Sequence, residues 1–330
     1  MKSKKGVISV QFNWVFILIA GVLILLFFGS LVLKMRGASD ISIAETIMTN
    51  MQTIMTGAEV SVRTINPIEI PNTEIRFSCN SMSVGKLSKT ITKNKIVFSP
   101  TVIRGRKLLA WALDWNSPYH VTNFLYLTTP NIKYVFVKPT GGDANRLYDL
   151  LPEEINKIII DDISGITNTG NYFRFVFFND VPEVPSAFIS VPNKDVSAIN
   201  VDISSNKITF YKKKGNIFDP VDDSTYLGEP MLLGALFSQD IDDYNCNLKK
   251  AFNKLNIVTQ VYKKRTEALG DMDLYVGSSC NTYYDTGLFS YIITESSKGN
   301  NANTNGIEEK IREIQRYNKN LQKQSCPTLY

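Results

Sequence analysis

Four cysteines, one histidine and three clusters of polar residues are the groups in this 330-residue chain whose types could carry chemistry. His120, in Ser117-Pro118-Tyr119-His120, is the sole imidazole. A Ser-His-Asp or Cys-His arrangement would have to use it. No G-x-S-x-G turn accompanies it, so it reads as a surface or packed histidine at a strand start. Thr140-Gly141-Gly142-Asp143 stands between a strand and a helix, where a phosphate could meet a helix N-terminus. It is neither a G-x-G-x-x-G nor a Walker loop, and Asp143 would repel an anion. It reads as a turn with an Asp N-cap. Asp240, Asp242 and Asp243 precede a helix and complement its dipole. Asp219, Asp222 and Asp223 fall in a Pro-containing stretch read as a loop, a type that can take calcium. Neither acidic cluster has EF-hand spacing. A pair of hydrolytic carboxylates could come from any two segments, because spacing in sequence does not fix distance in space. No catalytic, cofactor-binding or metal-ligating residue is therefore expected, and no cofactor.

The cysteines are Cys79, Cys246, Cys280 and Cys326. They form no C-x-x-C, and one histidine is too few for a zinc finger. An even number at wide spacing fits two disulfides in an oxidising compartment. Three connectivities are open. Helices over 243–269, 281–293 and 307–323 would alternate in direction in an up-down-up bundle. Cys280 and Cys326 then fall at one end and Cys246 at the other. That favours Cys280–Cys326 and Cys79–Cys246.

The elements that must position these groups begin with an apolar stretch. Trp14 to Leu33 is interrupted only by Gly21, Gly29 and Ser30. Twenty helical residues span about 30 Å, the thickness of a bilayer's hydrocarbon core. This predicts a transmembrane helix over 13–34, anchored between Trp14 and Leu33, in contact with membrane lipid. Lys2, Lys4 and Lys5 outweigh Lys34, Arg36 and Asp40, so residues 1–12 are expected in the cytoplasm and the rest outside. The run is longer than the apolar region of a cleaved secretory signal. The expected location is the cell membrane, single-pass.

An amphipathic helix is predicted over 39–66. Ile41, Ala44, Met48, Met51, Met55, Ala58 and Val62 repeat at intervals of three and four. Ser39 or Asp40 can cap it, and Asn66-Pro67 should end it. The stripe over 41–62 can pack on the chain's own head, on other copies or on a partner helix.

The chain carries 36 Lys+Arg against 31 Asp+Glu, a formal +5, without a basic stripe. Nucleic acid is not an expected partner. With 44% hydrophobic and 20% charged residues it is neither disordered nor polytopic. A mixed α+β ectodomain is expected over 70–230, with short strands such as 132–137 and 172–178. Leu108–Trp115 reads as helical or irregular. Residues 231–330 read as a C-terminal helical region joined by disulfides, with 297–306 a flexible linker.

Lys4-Lys5-Gly6 followed directly by an apolar segment resembles the class III signal of type IV pilin-like proteins, especially archaeal ones. The resemblance implies cleavage after Gly6 and a mature start at Val7. It also implies one long helix carrying a globular head, with assembly through that helix. Gln11 stands where the family usually has an acidic residue, and Gly37 interrupts the helix region. The chain as a whole is also similar to single-pass envelope proteins of archaea. The expected function is a structural or interaction protein of the cell envelope. The alternatives are a pilin-like subunit and a membrane-tethered extracytoplasmic enzyme.

Overall fold

The computed structural model describes residues 6–57, 63–92, 94–137, 142–168, 172–178, 180–272 and 276–330. In the first helix, side chains are described for residues 14, 16–31 and 41–57. That helix, α1 (Gly6–Gly57), is continuous through Gly37. Its 52 residues make a rod about 78 Å long. The expected membrane helix and amphipathic helix are thus one element. Its described residues run to Gly57, residues 58–62 lie outside the described residues, and Asn66 and Pro67 lie in the first strand.

Among the described residues no helix is long and apolar enough to cross a membrane. This corrects the transmembrane helix over 13–34, the single-pass membrane location, and the orientation drawn from them. Lys2, Lys4 and Lys5, and the side chains at Val7, Val15 and Leu33, lie outside the described residues.

In place of the expected α+β ectodomain, the described residues form two six-stranded sheets with helices, a mixed α/β fold. The first contains β1 (Ile65–Ser78), β2 (Ser81–Val84), β3 (Leu87–Thr90), β4 (Val97–Phe98), β5 (Val102–Asn116) and β6 (His120–Thr128). Their order is β3-β2-β1-β5-β6-β4, antiparallel except for the β6–β4 pair. The second contains β7 (Ile132–Val137), β8 (Lys157–Ile160), β9 (Tyr172–Phe177), β10 (Val196–Asp202), β11 (Lys207–Lys214) and β12 (Ile217–Thr225). Its order is β12-β11-β10-β9-β7-β8. Strands β8, β7, β9 and β10 are parallel, and β11 and β12 return antiparallel. Helix α2 (Asp143–Leu150) makes the crossover from β7 to β8.

Four helices follow: α3 (Glu229–Phe237), α4 (Ile241–Gly270), α5 (Gly287–Ser296) and α6 (Thr304–Lys323). Helix α3 is buried from Met231 to Phe237, because it is apolar all round and lies between the sheets. A Cβ on Gly234 would come within 2.7 Å of the Phe98 ring, so this position requires glycine. Phe237 meets the rings of Tyr126 and Tyr134 at 5.2 and 5.4 Å.

Both faces of the first sheet are covered. Leu109 and Trp111 of β5 face the central core shared with the second sheet and α3 to α6. Leu108, Ala110 and Ala112 face the opposite side, toward α1. A strand buried on both faces has no polar alternation. That is why 108–115 reads as helix in the sequence and is strand in the structure. A third cluster, with Phe173, Phe175, Phe177 and Phe188, covers the far face of the second sheet. The expected linker over 297–306 is a packed corner: Thr304 is buried, and the Asn303 side chain caps α6 by accepting from Gly306 N at 3.0 Å.

Candidate functional site

The residues singled out for catalysis are not brought together. His120 is exposed at the start of β6, and its neighbour Tyr119 is buried, donating to Thr259 Oγ1 at 2.6 Å. Gly142 is the N-cap of α2 and supplies no side-chain cap; Asp143 is the first residue of that helix. Thr140 and Gly141 lie outside the described residues. Asp219, Asp222 and Asp223 lie on the edge strand β12, not in a loop. Asp219 faces Lys214 at 3.4 Å, and Asp223 accepts from Thr209 Oγ1 at 2.7 Å. Asp240 caps α4, accepting from Asp242 N at 2.9 Å. Among the described residues no group of three His, Cys, Asp or Glu could hold a metal ion.

The cysteines pair as Cys79–Cys246 and Cys280–Cys326. The first bond is one part of a longer joint between α4 and the first sheet. Asp243 accepts from Cys79 N at 2.9 Å, and Asn247 donates to Val97 O at 2.8 Å. Lys250 donates to Cys79 O at 2.6 Å, and Lys254 to Thr122 Oγ1 at 2.8 Å. Positions 243, 247, 250 and 254 recur at helical spacing, so one polar stripe of α4 flanks the disulfide. Burial pushes the Lys250 ammonium down to about 8, against the opposing pull of Asp243. Burial raises the Asp243 carboxyl, and the Cys79 N–H bond opposes that rise. That stripe is legible in the sequence only once Cys246 is known to be bonded across it.

The second cysteine pair holds the chain's C-terminal segment against α4 and α5. Tyr284 donates to Pro327 O at 3.1 Å, and Leu329 N donates to Asn318 Oδ1 at 2.7 Å. Tyr119 stacks on Tyr262 with ring centroids 4.0 Å apart, and Tyr330 closes on both.

The surface feature with no cover is α1. Its C-terminal half is seated: Ala44, Ile47, Met48, Met51 and Met55 are buried against Ile75, Phe77, Met82 and Val84 of the first sheet. Lys89 donates to Gln52 Oε1 and Lys95 to Thr56 Oγ1, each at 2.9 Å. From the expected stripe, Ile41 is 47% exposed, and Ala58 and Val62 lie outside the described residues.

Among the described residues the N-terminal half has no such seat. Large apolar side chains from Trp14 to Leu31 are exposed, between 41% at Leu31 and 74% at Leu25. They include Ile17, Leu18, Ile19, Val22, Leu23, Ile24 and Phe27, which point in every direction around the axis. Ser30, the one hydroxyl there, donates to Phe27 O at 2.8 Å and so is satisfied within the helix. A contiguous apolar surface of this kind marks a site of association.

Where α1 leaves the head, two open cavities lie beside it. One, of about 510 Å³, lies between Ile41, Ile43 and Ala44 and the Val84–Leu87 turn. The other, of about 170 Å³, lies between Ile43, Ile47 and Ile54 and the strand at Ile68 and Ile70. Compared with known proteins, the chain matches no family model, no curated protein and no solved structure.

Proposed function

We propose that the protein is a structural subunit of pilin-like design, assembled through the N-terminal half of α1 with the same segment of other copies. The observation that carries the reading is the bare apolar surface from Trp14 to Leu31 on a helix whose other end is locked into its own head. A helix that is apolar all round needs neighbours on every side, and a bundle of identical helices supplies them. The continuous 52-residue helix supports this, because a rigid rod holds each head at a fixed distance from such a bundle. In this reading the cavities beside Ile41 and Ile43, with walls of apolar and polar residues, take side chains of neighbouring copies. The two disulfides suit a head working in an oxidising compartment. No catalytic role is part of this proposal.

The pilin-like design carries a processing step after Gly6. Intact mass and terminal sequencing of the protein from its native source test it. A start at Val7 is the expected result. A mature chain that retains Lys2 to Gly6 would remove the pilin-like reading. Sedimentation of the full chain tests assembly separately: large uniform particles are expected, and a monomer at all concentrations would remove the self-association itself.

A further inference from the structure

Between the two sheets, at the N-terminal edge of β7, β9 and β10, lies a cavity of about 30 Å³. Its walls include Tyr134, Arg174, Asp195, Ser197, Phe237 and Gln239. Arg174 sits on β9 between Phe173 and Phe175, which face the other side of the sheet, so its side chain is directed toward α3. It is only 3% exposed. Its Nη2 donates to Ala235 O at 2.9 Å and Ser238 O at 2.6 Å, at the C-terminal end of α3. Its Nη1 reaches Ala198 O at 3.5 Å, and Phe210 lies 5.2 Å from the guanidinium carbon. The partial negative charge of the helix end partly offsets the guanidinium. Burial still pushes Arg174 down to about 9, against the opposing effects of Tyr134 and Asp240.

Among the described residues, two buried polar atoms of the residues lining this cavity remain unmatched. Arg174 Nε–H has no acceptor, and the buried Oδ1 of Asp195 has no donor. Both residues line the same cavity. Buried polar atoms left unpaired are costly, and a small ligand that meets both would recover that cost. The chemistry of the ligand follows from the pair. One atom donates and the other accepts. One residue is cationic and the other anionic, so a net charge on the ligand would be attracted by one and repelled by the other. A neutral group with an acceptor beside a donor satisfies both. The volume exceeds the roughly 10–15 Å³ a single water occupies on this measure, and it limits the occupant to a few heavy atoms.

We propose that this cavity is a binding site for a small neutral amide, its carbonyl accepting from Arg174 Nε–H and its N–H donating to Asp195 Oδ1. The site stands apart from α1 and does not depend on the assembly reading. Formamide and acetamide are the probes, titrated into the full chain while the Arg174 Nε–Hε resonance is followed. Ligands this small bind at millimolar strength at best. The expected result is a saturable shift in that range, not reproduced by acetate or guanidinium. Asp195→Ala, which removes the acceptor at a partly buried position, should weaken the shift at least tenfold. Arg174→Gln is the second variant; it also loses the contacts to α3, so a circular-dichroism spectrum and melting curve accompany it. A shift that stays linear with amide concentration, or that is unchanged in Asp195→Ala, would overturn the proposal and leave a water-filled cavity.

Discussion

The two halves of α1 belong to one helix and have opposite surroundings. From Ala44 to Met55 the buried positions are 44, 47, 48, 51 and 55, a stripe one face wide. Glu45, Thr46, Thr49, Asn50, Gln52 and Thr53 are exposed on the rest of that surface, and Thr53 and Thr56 donate back to carbonyls one turn earlier. A stripe of that width needs one partner surface, and the first sheet provides it. From Trp14 to Leu31 the apolar residues cover the whole circumference. No single sheet face can satisfy that pattern. The difference in width separates a stripe that one sheet face meets from a surface that no single face can cover.

Charges in the bare half should produce the largest effect. Leu25→Asp combined with Phe28→Asp is expected to abolish assembly in sedimentation while leaving the melting temperature of the head unchanged. Both residues are more than half exposed in the single chain, so neither contributes to the head's own packing. A large drop in melting temperature with assembly intact would reverse the assignment of the two halves.

Covalent ties in the head come next. The Cys79–Cys246 bond closes 167 residues. Replacing both by Ser should cost about 5 kcal/mol in the chain-entropy account. The Cys280–Cys326 bond closes 46 residues, and its loss should cost about 4 kcal/mol. Denaturant unfolding of the two double variants measures both. Equal midpoints for wild type and the first variant would show that the polar stripe of α4 suffices to hold the joint.

In the seated half, Met51 is 1% exposed. Met51→Ala should destabilise the head by about 2–4 kcal/mol through lost burial and the cavity left behind. Assembly should survive at temperatures where the variant stays folded. A loss below 0.5 kcal/mol would mean that α1 is only loosely held on the first sheet.

The smallest expected effect is a pH dependence. Lys250 has a folded pKa of about 8, below its ordinary 10.5. Between these values the unfolded chain binds more protons, so stability from this group rises as pH increases from about 8 toward 10.5. Melting curves at pH 7.5 and 9.5 should show wild type gaining relative to Lys250→Met. No relative gain would place the Lys250 ammonium in contact with water, not in the joint beside Cys79.

Much of this arrangement is legible in the sequence where the pattern has one cause. The three-four spacing of Ala44, Met48, Met51 and Met55 can come only from a helix face, and the structure buries those residues. Leu108 to Trp115 is illegible because alternate residues face two different cores, which erases the period of two. The chain from Ser297 to Gly306 has the composition of a linker, yet Asn303 caps a helix and Thr304 bonds Thr225 across 79 positions. Asp219, Asp222 and Asp223 look like loop residues beside Pro220. In the structure they decorate an edge strand, where charge and proline discourage further pairing. The buried Arg174 carries no sequence signal beyond a lone charge between aromatic residues, because its partners are backbone carbonyls 24 to 64 positions away.

The central claim is that the bare half of α1 is covered by the same segment of other copies. All four native cysteines are in disulfides, so a single Leu25→Cys substitution adds a sole free thiol to the full chain. Mild oxidation followed by non-reducing electrophoresis reads whether two such positions meet. The account predicts disulfide-linked dimers for Leu25→Cys, and none for Thr294→Cys, an exposed position on α5 far along the chain. A Leu25→Cys protein that stays monomeric under the same oxidation would contradict it.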